Sequence, residues 1–347
     1  MRAIAMTACL LRAAVVATAL CGAAHAQNDP VSFAGKQIKL LIGYSPTGYG
    51  YDTYGRLLAR HMGKYLPGNP AIVAQNKPGA GSLNLANYLY NAAAKDGTEI
   101  AMVGRGVALE PLLSGVASNA LFDATRFAWL GSMNKEVSGF YIRQHGPAAT
   151  LQEILAGTIL RVGATGAGGD QVIFTAALNA LLGTKLKTIA GYPGTNEILL
   201  ALERGEIDGI VGHSWGVVRS GKKDLLQSGR LKIILQLSLH KHKELPDVPL
   251  VTELTRGEDR DVLELIFSRQ SMGRPVVAPP GTDARAVLAL RDAFTAAMHD
   301  PQLIAEAARM DLEIDFASGT DVQALVERLY QTPRGVIARA QAIAATH

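Results

Sequence analysis

The chain has 347 residues, of which 48% are hydrophobic, 18% charged and 6% aromatic, the balance of a soluble globular protein with room for one large or two medium domains. Its 34 Lys+Arg and 30 Asp+Glu are interspersed along the chain, so a net charge of +4 carries no nucleic-acid footprint. The 2 cysteines, Cys9 and Cys21, both lie in a stretch that reads as a leader, and a mature chain beginning at Gln27 has none, which excludes disulfides, thiolate catalysis and thiolate-bound metals.

That leader, MRAIAMTACLLRAAVVATALCGAAHAQNDP, joins Arg2 and Arg12 to an apolar Ala/Val/Leu run and the small-x-small triplet Ala24-His25-Ala26, the marks of a secretory signal peptide over residues 1–26. The run is too short for a membrane anchor. A lipoprotein reading would modify Cys21, yet Leu20 precedes it where a small residue is usual. Loss of Arg2 and Arg12 takes the basic count from 34 to 32 against 30 acidic residues, a net of +2.

Beyond the leader, IKLLIGYSPTGYGYDTYGRLLARHM predicts a strand at Ile38–Ile42, a loop, and a helix through Leu57, Leu58 and Met62. AIVAQNKPGAGSLNLANYLYNAA and TEIAMVGRGVALEPLL repeat this unit, each with a glycine-rich turn. Alternation of this kind predicts α/β sheets with parallel strands. FAWLGSMNKEVSGFYIRQHGPAATLQEILAG then offers two apolar runs that suit a crossing between domains. LRVGATGAGGDQVIFTAALNALLG starts a second group, with a strand at Ile159–Val162, a loop at Gly163–Gly169 and a helix at Val172–Leu181. SMGRPVVAPPGTDARAVLALRDAFTAAMHDPQ predicts a further strand, a Pro/Gly stop and a long amphipathic helix, with Asp300-Pro301 opening the next. Four glycine loops at strand-to-helix edges point to an anion-binding cleft, since backbone N–H groups converge at such edges.

The stretch GIVGHSWGV contains G-x-S-x-G after a predicted strand, the pattern of a hydrolase nucleophile elbow at Ser214. The mechanism also needs an acid and then a histidine downstream, each at a strand end. His240 and His242 follow too soon, His299 ends a helix and His347 is the last residue, so an esterase is the runner-up reading. No H-E-x-x-H or paired-His pattern supports a metal, and Gln171 stands where G-x-G-x-x-G needs its third glycine. No cofactor is expected.

With these residues in view, the chain resembles the tripartite tricarboxylate transporter receptors, or Bug proteins, from about Lys36 to the C-terminus. AIVAQNKPGAGSLNLANYL and KELPDVPLVTEL are its closest matches; RVGATGAGGDQVIF, GYPGTNEILLALERGEIDGIV and APPGTDARAVLALRDAF agree in pattern. The resemblance implies an α/β, two-domain clamshell of the type II periplasmic class, each domain a mainly parallel sheet flanked by helices. Domain 1 would comprise residues 33–132 and 244–347, and domain 2 residues 133–243. It further implies a non-enzymatic, monomeric periplasmic receptor that takes a small carboxylated solute, such as a dicarboxylate or aromatic carboxylate, and delivers it to a membrane permease.

Carried onto this sequence, the resemblance implies a carboxylate loop of Tyr44, Ser45, Thr47, Gly48, Tyr49 and Gly50 with Asp52 at the helix start, supported by Gly79, Ala80, Gly81 and Ser82. Opposite would stand Thr165, Gly166, Ala167, Gly168 and Gln171, with Tyr192, Pro193, His213 and Ser214 completing the wall. Tyr44 and Tyr192 have packing as an alternative role, Asp52 reads as a plain helix-start charge, and Arg105 equally as a carboxylate partner or a surface cation. Relatives commonly carry Phe-Pro-x-Gly-Gly in the first loop; the replacement here, together with His213 and Trp215, suits a larger or aromatic carboxylate.

Overall fold

Strand β1 (Gln37–Ile42) lies between two parallel partners, β2 (Ala71–Asn76) and β3 (Glu99–Met102). Flanked on both sides, it buries Ile38, Leu40, Leu41 and Ile42 and leaves only Gln37 and Lys39 exposed, the near-continuous burial typical of an inner parallel strand. Helix α1 (Tyr51–Met62) follows the first glycine loop and returns over the sheet; its buried Tyr54, Leu57, Leu58, His61 and Met62 recur at three- and four-residue steps. Helix α2 (Leu83–Asn91) plays the same part between β2 and β3, burying Leu85, Ala86 and Leu89. The sheet is completed by β10 (Pro275–Ala278), β4 (Ala128–Ser132) and β11 (Ala317–Ser318), in the order β11-β4-β10-β3-β1-β2.

A second sheet has the order β7-β6-β8-β5-β9, from β5 (Ser138–Arg143), β6 (Ile159–Gly163), β7 (Lys185–Ile189), β8 (Gly209–Ser214) and β9 (Leu231–Leu237). Helix α3 (Asp170–Leu182) joins β6 to β7 and packs on β8, burying Val172, Phe174, Leu178 and Leu181. The α/β clamshell is therefore the observed fold, but both sheets are mixed where the sequence reading expects mainly parallel ones. β10 is antiparallel to β3 and β4, and β5 is antiparallel to β8 and β9. The reason is topological. β5 and β10 each enter from the other sheet, so no same-sheet crossover leads into either strand and imposes parallel pairing with the strand before it.

One apolar cluster runs under both sheets, from Leu41, Ala101 and Trp129 to Phe140, Val162 and Phe174. Helices α4 (Glu258–Phe267) and α5 (Arg334–Ala344) pack against α3 and against each other, closing this cluster. The computed structural model describes residues 31–46, 50–115, 118–165, 169–192 and 194–345, and Phe33–His347 forms one compact unit. The expected leader, residues 1–26, lies outside the described residues, as do the expected site residues Thr47, Gly48, Tyr49, Gly166, Ala167, Gly168 and Pro193. No helix among the described residues is long and apolar enough to cross a membrane.

Candidate functional site

Strand ends from both sheets meet at a cleft of about 750 Å³. Tyr44, Ala80, Gly81 and Arg105 reach it from the first sheet, and Thr165, Asp170, Gln171, His213 and Ser214 from the second. Close backbone approach shapes both walls. A Cβ on Gly104 would lie 2.6 Å from the Tyr44 hydroxyl and 2.8 Å from the Gly81 carbonyl oxygen, so only glycine lets the β3 end pass under the Tyr44 loop. Gly212 has φ +82°, and a Cβ there would lie 3.0 Å from the Phe174 ring; this kink in β8 carries His213 and Ser214 to the cleft.

Buried ion pairs dominate the site. Asp170, at the start of α3, accepts from Arg105 Nε at 2.8 Å and from Arg269 Nη1 at 2.9 Å; the Arg105 Nη2 group also bonds this carboxylate. Glu136, in the crossing segment between β4 and β5, takes Arg274 Nη1 at 3.1 Å, Arg105 Nη1 at 3.3 Å and the Ser214 hydroxyl at 2.8 Å. The side chains of Arg105, Arg269 and Arg274 are 12%, 5% and 7% exposed, so all three guanidiniums have lost most of their water. Three buried cations thus face two carboxylates among the described residues. Arg269 Nε, Arg274 Nε and His213 Nε2 are buried with no hydrogen-bond partner. A buried donor without a partner costs free energy of order 1–3 kcal/mol, more when charged, so the two arginine Nε atoms mark where an acceptor is needed.

Electrostatics follow from this packing. Burial pushes the Asp170 carboxyl upward, but Arg105 and Arg269 outweigh it and hold the group down at about 2. Burial likewise works against the Arg105 charge, while Asp170 and Glu136 push its pKa above the usual arginine value. Burial lowers His213 to about 4, helped by Arg105, so at neutral pH this ring is an uncharged imidazole. Tyr44 stacks on Tyr51 with centroids 4.1 Å apart and planes 11° from parallel, and the Arg274 guanidinium lies 4.6 Å from the Tyr51 ring centroid. Burial, with Tyr51 next to it, raises the Tyr44 hydroxyl well above its ordinary value and keeps it a neutral donor.

Several residues expected at the site stand elsewhere. Ser45 is exposed, Gly50 lines a smaller neighbouring cavity, and Gly79, Ser82 and Tyr192 do not line the cleft. Asp52 is buried in a structural contact, accepting from Arg56 Nε at 3.0 Å and from Asn76 Nδ2 at 2.7 Å. Trp215 turns away and donates its indole N–H to Glu244 at 3.0 Å. Ser214 has neither of the partners a nucleophile needs. Its hydroxyl donates to Glu136 and accepts from the Val217 N–H at 3.4 Å, and no histidine bonds to it among the described residues. No group of three or more His, Cys, Asp or Glu among the described residues could hold a metal ion.

Sequence reasoning missed Tyr51, Glu136, Asp170, Arg269 and Arg274, all of which line the cleft. A usable signal existed for two of them. IFSRQSMGRPVVA sets Arg269 and Arg274 in a largely apolar run, and a cation buried there requires a partner. Glu136 and Asp170 carry no comparable local mark.

Comparisons with known proteins agree with this fold. The tripartite tricarboxylate transporter family receptor model matches residues 55–340. A UPF0065 protein in the gbd 5'region of Cupriavidus necator is 28% identical over 296 residues, covering 84% of this chain and 82% of the relative. A TctC solute binding protein from Polaromonas, solved without ligand, superposes with a TM-score of 0.67 at 23% identity, over 89% of this chain and all of that one (100%). The R. palustris protein Rpa4515, solved with adipate, gives a TM-score of 0.64 at 17% identity over 89% and 97% of the two chains. The chain belongs to the tripartite tricarboxylate transporter receptor family of periplasmic solute-binding proteins.

Proposed function

We propose that this protein is an exported receptor that captures a small carboxylated solute between two lobes, residues 33–132 with 244–347 and residues 133–243, and delivers it as a monomer to a tripartite membrane permease. The observation that carries the reading is the surplus of buried guanidinium at the cleft, with Arg269 Nε and Arg274 Nε lacking an acceptor. A carboxylate supplies two acceptor oxygens and the missing negative charge together. The adipate held by Rpa4515, a protein of the same fold, supports a carboxylated ligand. A solute touching Arg105 and Tyr44 on one side and His213 and Gln171 on the other binds the closed arrangement better than an open one, so it shifts the protein toward closure.

The test is a thermal-shift screen of aliphatic and aromatic mono-, di- and tricarboxylates on the mature chain. A solute at a hundred times its Kd stabilises the folded state by about 2.7 kcal/mol, a rise of several degrees in Tm. At least one carboxylate is expected to give such a rise, and Arg274→Gln to abolish it. A folded protein that responds to no carboxylate refutes the reading.

A further inference from the structure

We propose that the cleft selects solutes carrying a single carboxylate on an aromatic or apolar body, and that Asp170 sets this selection by occupying the place of a diacid's second carboxylate. The inference rests on the carboxylate-receptor reading and narrows it to a substrate class.

Charge comes first. Among the described residues the buried cluster holds Arg105, Arg269 and Arg274 against Asp170 and Glu136, an excess of one positive charge. Glu110 also lines the cleft but is only partly buried, and its carboxylate takes the Ser114 hydroxyl at 2.7 Å rather than any of the three arginines. One ligand carboxylate neutralises the buried cluster. A second would be a buried charge without a partner beside two fixed carboxylates, which disfavours the diacid.

Geometry supports the same count. Asp170 bridges two guanidiniums with one oxygen each, Oδ2 toward Arg105 and Oδ1 toward Arg269, as a bound carboxylate would. It is supplied by the second sheet's α3 to Arg105, which follows β3 of the first. The chain therefore carries its own carboxylate at this position, and the donors left without a partner are Arg269 Nε and Arg274 Nε, both buried on cleft-lining side chains. Beside Arg274 lies an aromatic, uncharged surface. Tyr44 and Tyr51 stack nearly parallel, and His213 adds an imidazole that burial keeps neutral.

Matched pairs of probes test this: benzoate against terephthalate, and hexanoate against adipate, titrated by calorimetry at neutral pH into the native chain and into Asp170→Asn and Asp170→Glu. The expected result is that the native chain binds the monoacid of at least one pair tenfold or more tighter than its diacid. Asp170→Asn should move that ratio at least tenfold toward the diacid, and Asp170→Glu should leave it within threefold. Equal or tighter diacid binding by the native chain overturns the proposal, as does an unchanged ratio in a folded Asn variant. Should that variant fail to fold, the native ratio and the Glu variant decide. A screen in which only di- or tricarboxylates bind overturns this inference and leaves the receptor reading standing, whereas a screen in which no carboxylate binds removes both.

Discussion

Two aspartates in this protein each sit between two arginines, and they do different things. Asp208, just before β8, accepts from Arg161 Nε at 3.1 Å, Arg143 Nη2 at 3.0 Å and the Arg161 backbone N–H at 3.0 Å. Its arginines are 24% and 45% exposed and keep water within reach. Asp170 has the same partners by type, but its arginines are 12% and 5% exposed and one of them retains an unpaired Nε. Residue type does not separate a staple between strands from a candidate site. Dehydration together with an unmet donor does, because only a dehydrated donor still gains by acquiring an acceptor.

Removing one carboxylate from each cluster gives the largest contrast. Glu136→Leu strips a buried partner from Arg274 and Arg105 and should cost about 3–5 kcal/mol in denaturant unfolding. Asp208→Asn should cost roughly 1 kcal/mol, since water can replace the lost partner at Arg143 and Arg161. Equal losses would break the distinction between the clusters.

Titration sharpens it further. His213 has an ordinary value of 6.5 and about 4 in the folded chain, so the unfolded chain binds the extra proton between those values. Its contribution is complete above pH 6.5, is lost as pH falls from 6.5 toward 4, and amounts to about 3 kcal/mol. The Asp170 contribution, present above its ordinary 3.8, is lost only as pH falls further toward about 2. Two acid limbs should therefore appear in unfolding free energy against pH, and His213→Gln should flatten the upper one alone. An unaltered upper limb in that variant would assign it to another group.

The smallest effect is expected at Ser214. Ser214→Ala removes one hydrogen bond to Glu136, which keeps Arg105 and Arg274, so stability should fall by about 1 kcal/mol or less. Ester turnover should be absent in both proteins; hydrolysis by the native chain that disappears in the variant would restore the nucleophile reading.

Much of the fold was readable before any coordinates. Strand, glycine loop and helix were placed within a few residues at Ile38–Met62 and Ile159–Leu181, because local propensity and apolar period agree there. The antiparallel strands were not, since pairing direction depends on where a strand enters from. The cleft was half legible: Tyr44, Gly81, Arg105, Gln171 and His213 line it, whereas Asp52 and Trp215, suggested by comparison with the family pattern, point into other contacts.

By itself, then, the amino-acid sequence determined the alternation of strands and helices, the glycines where walls approach, and the family motifs, all of which depend on residues near one another in the chain. Only the tertiary structure decided which charges meet. Arg105 reaches across 65 residues to Asp170, Arg269 across 99 to the same carboxylate, and Arg274 across 138 to Glu136. Coulomb energy depends on distance in space and on how much water remains between the charges, and neither is written in the spacing along the chain.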